Sequence, residues 1–244
     1  MSKDVILLPT YNEKENIHFI IKEIFRIAPD IWVKIIDDNS PDGTAQIVKD
    51  ILSSYPRLSL LERKVKTGLG DAYKAAMREV IKDKEVGSVI TMDADGSHSP
   101  KYLQEMLKNL DKADLIIGSR YAGGGVENWE WWRKNLSKFG NLYARILSGL
   151  PVNDVTAGFM CIRRELLEKL NFESIHASGY SFLMEFKYNL IRVLGARVKE
   201  IPIIFLQRRG GKTKFSIHIF SEGLKVPWRL FFKRLKVKFS AKLC

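Results

Sequence analysis

Five short apolar runs alternate with amphipathic segments in the first half of the chain, and no other feature of the sequence constrains the fold as strongly. The runs span residues 5–8, 32–36, 58–61, 86–92 and 115–117. The intervals between them have apolar residues at helical spacing, as at Ile17, Ile20 and Ile24 in the first interval. Strands joined by helices of this length pair in parallel, because each helix crosses over the sheet before the next strand begins. The sequence therefore predicts an α/β fold with a mainly parallel sheet and helices on both faces.

Boundary residues and apolar spacing predict the remaining elements. Asn12 is positioned to cap the first helix, and Glu15 three residues later would complete an approximate capping box. The later helices are predicted over residues 45–52, 70–81, 100–110, 134–150 and 180–194, and a further strand over 198–206. We expect one α/β domain over residues 1–215, followed by a tail over residues 216–244.

Polar clusters directly follow four of the predicted strands. They are Pro-Thr-Tyr-Asn-Glu at 9–13, Asp-Asp at 37–38, Asp-Ala-Asp at 93–95 and Ser-Arg-Tyr at 119–121. The carboxyl ends of parallel strands meet at one edge of a sheet, and ligands of such folds bind there. The aromatic ring of Tyr11 and the carboxylates of Glu13 and Asp38 would suit a nucleotide. The sequence thus predicts one site at this edge in preference to four unrelated loops.

Asp93 and Asp95 form a candidate site for a divalent cation. Residues i and i+2 of an extended segment face the same way, so both carboxylates can reach one ion. Carboxylate oxygens are the ligands that hard cations prefer. His98 lies nearby in the sequence, and we expect it to be a loop residue in preference to a metal ligand.

Several function classes are excluded or disfavoured. Two cysteines are too few for a disulfide-stapled scaffold or a cysteine-rich zinc site, and Cys161 is expected to be a buried hydrophobe. No P-loop sequence occurs. Residues 67–73 resemble a dinucleotide fingerprint, but they follow the third strand and have Tyr73 in place of the third glycine. No apolar run approaches the roughly 20 residues of a spanning helix, and no signal peptide is recognised, so a location in the cytosol or on a membrane facing it is expected.

The C-terminal end is strongly basic and amphipathic. The net charge of the chain is +12, to which residues 223–244 contribute seven basic residues and no acidic one. One face of a helical projection would carry Leu224, Trp228, Phe231, Phe232, Leu235 and Phe239. We predict a helix that begins near Pro227 and lies in the interface of an anionic membrane. The alternative left open is that this stripe packs on the domain.

Seven short motifs occur in order from about Val5 to Lys214. They are PTYNE, DDNSPDGT, GLG, DAD, GSRY, NWxxWR and RxxGxxK. Together they resemble the dolichol-phosphate mannose synthases, which are inverting enzymes of glycosyltransferase family 2. The resemblance implies a GT-A, Rossmann-like fold that binds a nucleotide sugar.

The resemblance also implies roles for individual residues. The nucleotide is expected to contact Pro9, Tyr11, Glu13 and Asp38. Mg²⁺ or Mn²⁺ and the sugar diphosphate are expected at Asp93, the backbone of Ala94, and Asp95, with Ser97 also at the metal. The donor phosphates are expected to contact Arg208 and Lys214. The acceptor phosphate is expected to contact Arg120, Arg133 and Ser137.

The implied reaction is metal-dependent transfer of mannose, with inversion, from GDP-mannose to a polyprenyl (dolichol-type) phosphate. Because that phosphate is already an anion, charge neutralisation matters more than a general base. If a base is used, Asp154 and Glu185 are the candidates, since relatives have site carboxylates there. UDP-glucose or another donor is an alternative, and a basic nucleic-acid-binding module is a distant one. No nucleic-acid partner is expected, because acidic strand ends repel a polyanion.

The implied lipid acceptor also implies a place in the cell. We expect peripheral association with the cytoplasmic face of a membrane, with an anionic membrane surface as a partner. Some relatives rely on other subunits, so a membrane-anchoring subunit is left open as a further partner.

Overall fold

The computed structural model describes residues 2–210 and 217–240, with the side chains of the second range described over 221–236. The described strands are β1 (Lys3–Thr10), β2 (Trp32–Asp37), β3 (Leu58–Glu62), β4 (Val86–Thr91), β5 (Leu115–Ser119), β6 (Gly125–Val126), β7 (Met160–Arg163), β8 (Val198–Pro202) and β9 (Ile204–Phe205). The described α-helices are α1 (Ile17–Ile27), α2 (Thr44–Ile51), α3 (Leu69–Val80), α4 (Leu103–Asn109), α5 (Trp131–Ser148), α6 (Arg164–Glu168), α7 (Phe182–Tyr188) and α8 (Ile217–Ser240).

Seven of the nine described strands form one sheet in the order β3-β2-β1-β4-β7-β5-β8, and β6 and β9 form a separate two-stranded sheet. β1 pairs in parallel with β2 and β4, β2 with β3, and β5 with β8. The predicted mainly parallel α/β fold is confirmed. The register sets Thr10 of β1 beside Asp37 of β2. The loops that follow these two strands therefore lie next to each other.

The strand β7 and the helix α6 were absent from the sequence-based assignment. β7 is only four residues long and runs antiparallel between β4 and β5. Its pairing joins it to one strand about 70 residues earlier and to another about 45 residues earlier, which no local pattern in the sequence indicates. Cys161 lies on β7 without exposed surface, and burial raises the pKa of its thiol to about 12. The prediction that Cys161 is a buried hydrophobe is confirmed.

Two apolar layers cover the faces of the sheet. Because successive side chains of a strand point to opposite faces, Leu7 of β1 lies in one layer and Ile6 and Leu8 lie in the other. The first layer includes apolar residues of α3, α7 and α8, and the second includes those of α1 and α4. The polar clusters follow the carboxyl ends of β1, β2, β4 and β5, at one edge of the sheet.

The predicted start of the first helix is wrong. The α1 helix begins at Ile17, and Asn12 instead adopts a left-handed conformation with φ 55°. The Asn12 amide donates to Ser40 Oγ at 3.0 Å, so the segment is held by the neighbouring loop before the helix begins. The helix-capping position belongs to Asn16, whose side chain donates to Glu13 and to the Gly210 carbonyl without capping the helix.

Two elements near the C-terminal end also differ from prediction. The predicted helix over 180–194 is α7 followed by one π-helical turn over Asn189–Val193. The predicted strand over 198–206 divides after Pro202, so that β8 joins the main sheet and β9 pairs with β6.

The helix α8 begins at least ten residues before the predicted start, and Pro227 lies inside it. Pro227, Val226 and Leu230 are buried, and the two aliphatic residues belong to the core beneath α5 and α7. The predicted stripe instead keeps Leu224, Trp228 and Phe232 exposed, while Phe231 and Leu235 are partly buried. The side chain of Phe239 lies outside the described residues. The tail is therefore packed on the domain by the face opposite the predicted stripe.

A second apolar stripe is exposed on α5. It consists of Trp131, Trp132, Leu136, Phe139, Leu142 and Ile146. Helices α5 and α8 are joined by a hydrogen bond in which the Tyr143 hydroxyl donates to the Leu224 carbonyl at 3.0 Å. Over the residues that the structure describes, no helix is long and apolar enough to cross a membrane.

Candidate active site

A cavity of about 630 Å³ opens at the carboxyl edge of β1, β2 and β4. Eight of the nine residues predicted to bind the donor line it: Pro9, Tyr11, Glu13, Asp38, Asp93, Ala94, Asp95 and Arg208. The ninth, Lys214, lies outside the described residues. Three of the four polar clusters, those at 9–13, 37–38 and 93–95, contribute to this space, which we call the donor cavity, whereas Arg120 and Tyr121 of the fourth cluster line a separate cavity.

The loop after β1 is shaped by the side chains of the loop after β2. Three successive amides, those of Asn12, Glu13 and Lys14, donate to Ser40 Oγ, Thr44 Oγ1 and Asp42 Oδ2, at 3.0, 2.9 and 3.1 Å. The oxygen-bearing side chains of DDNSPDGT thus replace helical partners for backbone groups that would otherwise lack them. This contact explains why these two motifs occur together.

The two aspartates at the end of β2 have different contacts. Asp37 turns away from the donor cavity and accepts hydrogen bonds from the Thr10 hydroxyl at 3.0 Å and the Ser40 amide at 2.9 Å. Asp38 lines the donor cavity and forms an ion pair with Arg63. Burial raises the pKa of the Asp38 carboxyl, although the Arg63 charge opposes this shift. Asp38 is therefore the aspartate available to a ligand, as predicted.

The segment rejected as a dinucleotide fingerprint forms another wall of the donor cavity. Lys66, Thr67, Gly68 and Leu69 line it, and Lys66 Nζ lies 3.6 Å from the centre of the Tyr11 ring. Gly68 has φ 114°, and a Cβ there would lie 2.5 Å from the Ser178 carbonyl oxygen. Only glycine permits this conformation and approach. The sequence analysis missed these residues, and the GLG motif was the available signal.

Arg208 bridges the two acidic sides of the donor cavity. Its Nη2 lies 2.6 Å from Glu13 Oε1, and its Nη1 lies 3.3 Å from Asp95 Oδ2. Its Nε donates to the Gly210 carbonyl at 2.5 Å. A guanidinium in this position can exchange its carboxylate partners for the oxygens of a phosphate, which it binds in the same planar geometry.

Asp93, Asp95 and Ser97 form an oxygen-rich corner that fits a divalent cation. Ser97 Oγ is buried and has no hydrogen-bond partner among the described residues. In residues 2–210 and the described side chains of α8, no group of three His, Cys, Asp or Glu residues could hold a metal. An ion here would therefore take further oxygens from a bound ligand, as Mg²⁺ does when two carboxylates and substrate phosphates hold it.

His98 lies beside this corner as a packing residue. Its Nδ1 accepts a hydrogen bond from the Asp93 amide at 3.0 Å, and its ring is stacked on Phe159 with centroids 5.0 Å apart. Because Nδ1 is engaged and the ring is 2 % exposed, His98 is a structural loop residue, in agreement with the expectation.

A second cavity, of about 250 Å³, lies beside the end of β5 and the start of α5. Two of the three residues predicted to contact the acceptor phosphate, Arg120 and Ser137, line it, and the Tyr121 hydroxyl lies 2.7 Å from Ser137 Oγ. Lys134 and Lys138 also line it; the sequence analysis missed them, although their four-residue spacing places them on one face of a helix with Ser137. We call this space the cationic cavity.

Arg133 is exposed and does not line the cationic cavity. Its guanidinium lies over the Trp129 ring, 4.2 Å from the centroid. Its neighbour Lys134 faces the cavity instead. The predicted contact between Arg133 and the acceptor phosphate stays a prediction.

The two candidate bases are both buried and engaged. Asp154 is inaccessible and forms an ion pair with Arg120; burial alone would raise the pKa of its carboxyl, but hydrogen bonds and charge from Arg120 lower it. Glu185 is 2 % exposed and pairs with Arg229. Neither carboxylate is placed to take a proton from a ligand.

The chain is similar to known proteins over most of its length. The family model for glycosyl transferase family 2 matches residues 5–171. Polyprenol monophosphomannose synthase of Mycolicibacterium smegmatis is 39% identical over 217 residues, which cover 88% of this chain and 81% of that protein. Undecaprenyl-phosphate mannosyltransferase of Micrococcus luteus is 37% identical over 219 residues, which cover 89% of each chain.

Solved structures share the fold at lower sequence identity. Glucosyl-3-phosphoglycerate synthase from Mycobacterium tuberculosis, in complex with Mn²⁺ and UDP-glucose, superimposes with a TM-score of 0.66 at 17% identity, covering 92% of this chain and 76% of that one. Staphylococcus aureus TarS 1–349 in complex with UDP-GlcNAc gives a TM-score of 0.61 at 19% identity, covering 92% and 65%.

Proposed function

The chain belongs to glycosyl transferase family 2, and we propose that it transfers mannose from GDP-mannose to a polyprenyl phosphate at the surface of a membrane. The chain is a glycosyltransferase, as the motifs predicted, and its two named relatives are a polyprenol monophosphomannose synthase and an undecaprenyl-phosphate mannosyltransferase. GDP-mannose as the donor is our inference from the motif resemblance.

One observation supports this function above the others. Helix α5 presents Lys134, Ser137 and Lys138 to the cationic cavity, and it exposes an apolar stripe elsewhere on its surface. A substrate with an anionic head and a long apolar chain matches both surfaces. The head would contact the cations of the cavity, and the chain would remain in lipid along the stripe.

The donor cavity suits a nucleoside diphosphate sugar. We propose that Tyr11 and Asp38 contact the nucleoside and that Arg208 moves from its carboxylate partners to the diphosphate. The proposed roles of Pro9, Glu13, Ala94 and Lys214 in donor binding rest on the motif resemblance and, apart from Lys214, on their place in this cavity.

A divalent cation, Mg²⁺ or Mn²⁺, would be held by Asp93, Asp95 and Ser97. When bound, it supplies positive charge that stabilises the departing diphosphate. The glucosyl-3-phosphoglycerate synthase that shares the fold contains Mn²⁺, which supports a divalent metal for this chain.

The protein side chains would orient the reactants and balance their charges. Arg120 and Lys134 would hold the acceptor phosphate against its repulsion from the donor diphosphate. The acceptor oxygen is already ionised at neutral pH, so it can attack the anomeric carbon without a base, and Asp154 and Glu185 are free to hold the scaffold. Transfer in one displacement inverts the anomeric configuration.

We further propose that the enzyme binds peripherally to the cytoplasmic face of an anionic membrane. The exposed stripes of α5 and α8, together with the net charge of +12, support this location. The proposed boundary at residues 215–216 separates the catalytic domain from α8 in sequence, although α8 packs into the same core. A membrane-anchoring subunit stays a prediction.

A donor screen tests the function. Radiolabelled GDP-mannose, UDP-glucose and UDP-N-acetylglucosamine would each be supplied with a polyprenyl phosphate and Mg²⁺ or Mn²⁺. We expect labelled lipid from GDP-mannose alone. Preferred use of UDP-glucose would establish the alternative donor. A failure of all three donors, with tight binding to RNA or DNA at physiological salt, would favour the nucleic-acid-binding alternative.

A further inference from the structure

The loop over residues 176–179 is held by carboxylates through four successive backbone amides. Glu185 Oε2 accepts the amides of His176 and Ala177 at 3.0 and 2.9 Å. The two oxygens of Glu222 accept the amides of Ser178 and Gly179 at 3.4 and 3.2 Å. The loop therefore lacks partners of its own in a sheet or helix, and its shape depends on these two side chains.

Both carboxylates depend on helix α8. Glu222 lies on α8, and Arg229 on the next turns of the same helix donates to Glu185 Oε2 at 2.6 Å. The Glu185 side chain is 3 % exposed, so the Arg229 charge compensates a carboxylate that has little contact with water. Helix α8 thus holds the loop directly through one residue and indirectly through the other.

The loop forms a wall of the donor cavity. Ser178, Gly179 and Tyr180 line that cavity opposite the residues that follow β1. The Ser178 carbonyl accepts the Gly70 amide at 2.8 Å, and Gly68 passes close beneath it. A shift of the loop would therefore change the space between this wall and Tyr11.

We propose that Glu222 and Arg229 are positioning residues for donor binding, through the loop over residues 176–179. This inference rests on the proposed donor cavity, and it assigns α8 a task beyond its exposed apolar stripe. Neither side chain lines the donor cavity, so their effect would be transmitted by the loop backbone. The helix that carries the stripe would thereby fix the shape of the pocket for the nucleotide.

Hydrogen exchange of the ligand-free full chain tests the mechanism without reference to any substrate. In Glu222→Ala, exchange at the amides of Ser178 and Gly179 should rise about tenfold, the scale of one lost hydrogen bond. In Arg229→Met, the increase should fall on His176 and Ala177. Glu222→Gln keeps an acceptor oxygen and should restore much of the protection.

Donor binding is then measured by calorimetry with GDP as the probe. We expect Glu222→Ala and Arg229→Met to weaken GDP binding about 5- to 20-fold, with partial rescue in Glu222→Gln. Because the acceptor contacts lie elsewhere, the KM for a short-chain polyprenyl phosphate should change less than twofold. Lys225→Met, an exposed substitution on the same helix, is the control and should change neither quantity.

The possible outcomes separate the two proposals. Unchanged exchange at residues 176–179 in both variants would overturn the positioning role, as would faster exchange without any loss of GDP affinity. A uniform rise in exchange across the core, together with a lower melting temperature, would mean that the substitutions only destabilise the fold. That result would also overturn the positioning role. If the wild-type chain binds UDP in place of GDP, the donor assignment fails, and the same variants are measured with UDP.

Discussion

Arg120 forms a two-pronged ion pair with Asp154, in which Nε–Oδ2 and Nη2–Oδ1 are both 2.8 Å apart. Asp154 is inaccessible to solvent, whereas Arg120 reaches the cationic cavity. Thr156 Oγ1 accepts a further hydrogen bond from Arg120 Nη2 at 2.7 Å. The pair therefore fixes a guanidinium at the cavity, and we expect any effect of Asp154 on a ligand there to pass through Arg120.

Asp154→Asn should lower stability and impair acceptor use together. The substitution leaves the Arg120 charge without its buried partner, which costs about 3 kcal/mol. We expect a higher KM for the lipid phosphate and an unchanged shape of the pH–rate profile, measured alongside urea unfolding. A large loss of kcat with unchanged stability and KM would instead identify Asp154 as a base.

Asp95→Ala should abolish metal-dependent donor binding and transfer. Without this carboxylate the charge of the diphosphate is not bridged to the protein, and transfer should fall by about two orders of magnitude or more. Calorimetry with GDP-mannose, with and without Mn²⁺, measures the binding component. Asp30→Ala, at an exposed position, serves as the control. Full activity of Asp95→Ala in excess chelator would contradict the metal assignment.

Lys134→Gln should weaken acceptor use more than Arg133→Gln does. Lys134 lines the cationic cavity, whereas Arg133 does not line it and instead lies over Trp129, which is one of the lining residues. Loss of one charged phosphate contact costs about 2 kcal/mol, or roughly 30-fold in kcat/KM for the lipid phosphate. Donor affinity should be unchanged in both variants. A larger effect in Arg133→Gln would restore the assignment made from the motif, and an equal loss of donor and acceptor affinity would contradict both.

Membrane binding should depend on the exposed stripe of α8. Deleting residues 223–244 is a poor test, because it also removes Val226 and Leu230 from the core. We expect Trp228→Gln with Phe232→Gln to reduce the affinity for anionic vesicles about 30-fold in cosedimentation, since each of the two apolar side chains contributes about 1 kcal/mol. Binding should weaken as salt rises, because the attraction of the basic residues is screened.

Val193→Gln is the matched control for this experiment, because Val193 is an exposed apolar residue outside both stripes. Equal vesicle binding by the double variant and the wild type would indicate that α5, and not α8, makes the membrane contact. Phe139→Gln with Ile146→Gln would then be the pair to measure.

The buried Lys187 should make the free energy of unfolding depend on pH between about 7 and 10.5. It is wholly buried and donates to the carbonyls of Val155 and Ala157, and burial lowers the pKa of its ammonium group to about 7. Between about pH 7 and the ordinary value of 10.5 the unfolded chain binds more protons at this residue than the folded chain does. Its contribution to stability therefore rises with pH across that window and is smallest below pH 7.

The difference in unfolding free energy between the wild type and Lys187→Met measures this contribution. The variant is expected to be less stable overall, because the carbonyls of Val155, Ala157 and Leu183 lose a donor. The wild type should gain stability relative to the variant as pH rises from 7 to 10. A difference that stays constant over this range would mean that Lys187 remains charged in the folded chain.

The sequence by itself determined the first five strands, the mainly parallel character of the sheet and the edge at which the polar clusters lie. These features follow from local signals. The spacing of apolar residues, the turn residues and the polar clusters all lie within or next to the strand that they indicate. Those local signals do not distinguish Asp38 from Asp37. Only the motif resemblance predicted that Asp38 is the one that contacts the nucleotide. The choice itself is made by hydrogen bonds from Thr10, at the end of β1, and Ser40, in the loop after β2.

Tertiary structure alone decided the features that depend on distant segments. Asn12 does not cap a helix because the loop after β2 takes the amides of residues 12–14. Lys134, not Arg133, reaches the cationic cavity because packing fixes the rotation of α5. Lys187 and the carboxylates that hold residues 176–179 have partners 8 to 44 positions away, and no local pattern specifies such pairings. Burial supplies the physical reason, since a buried polar group must find a partner wherever the chain brings one.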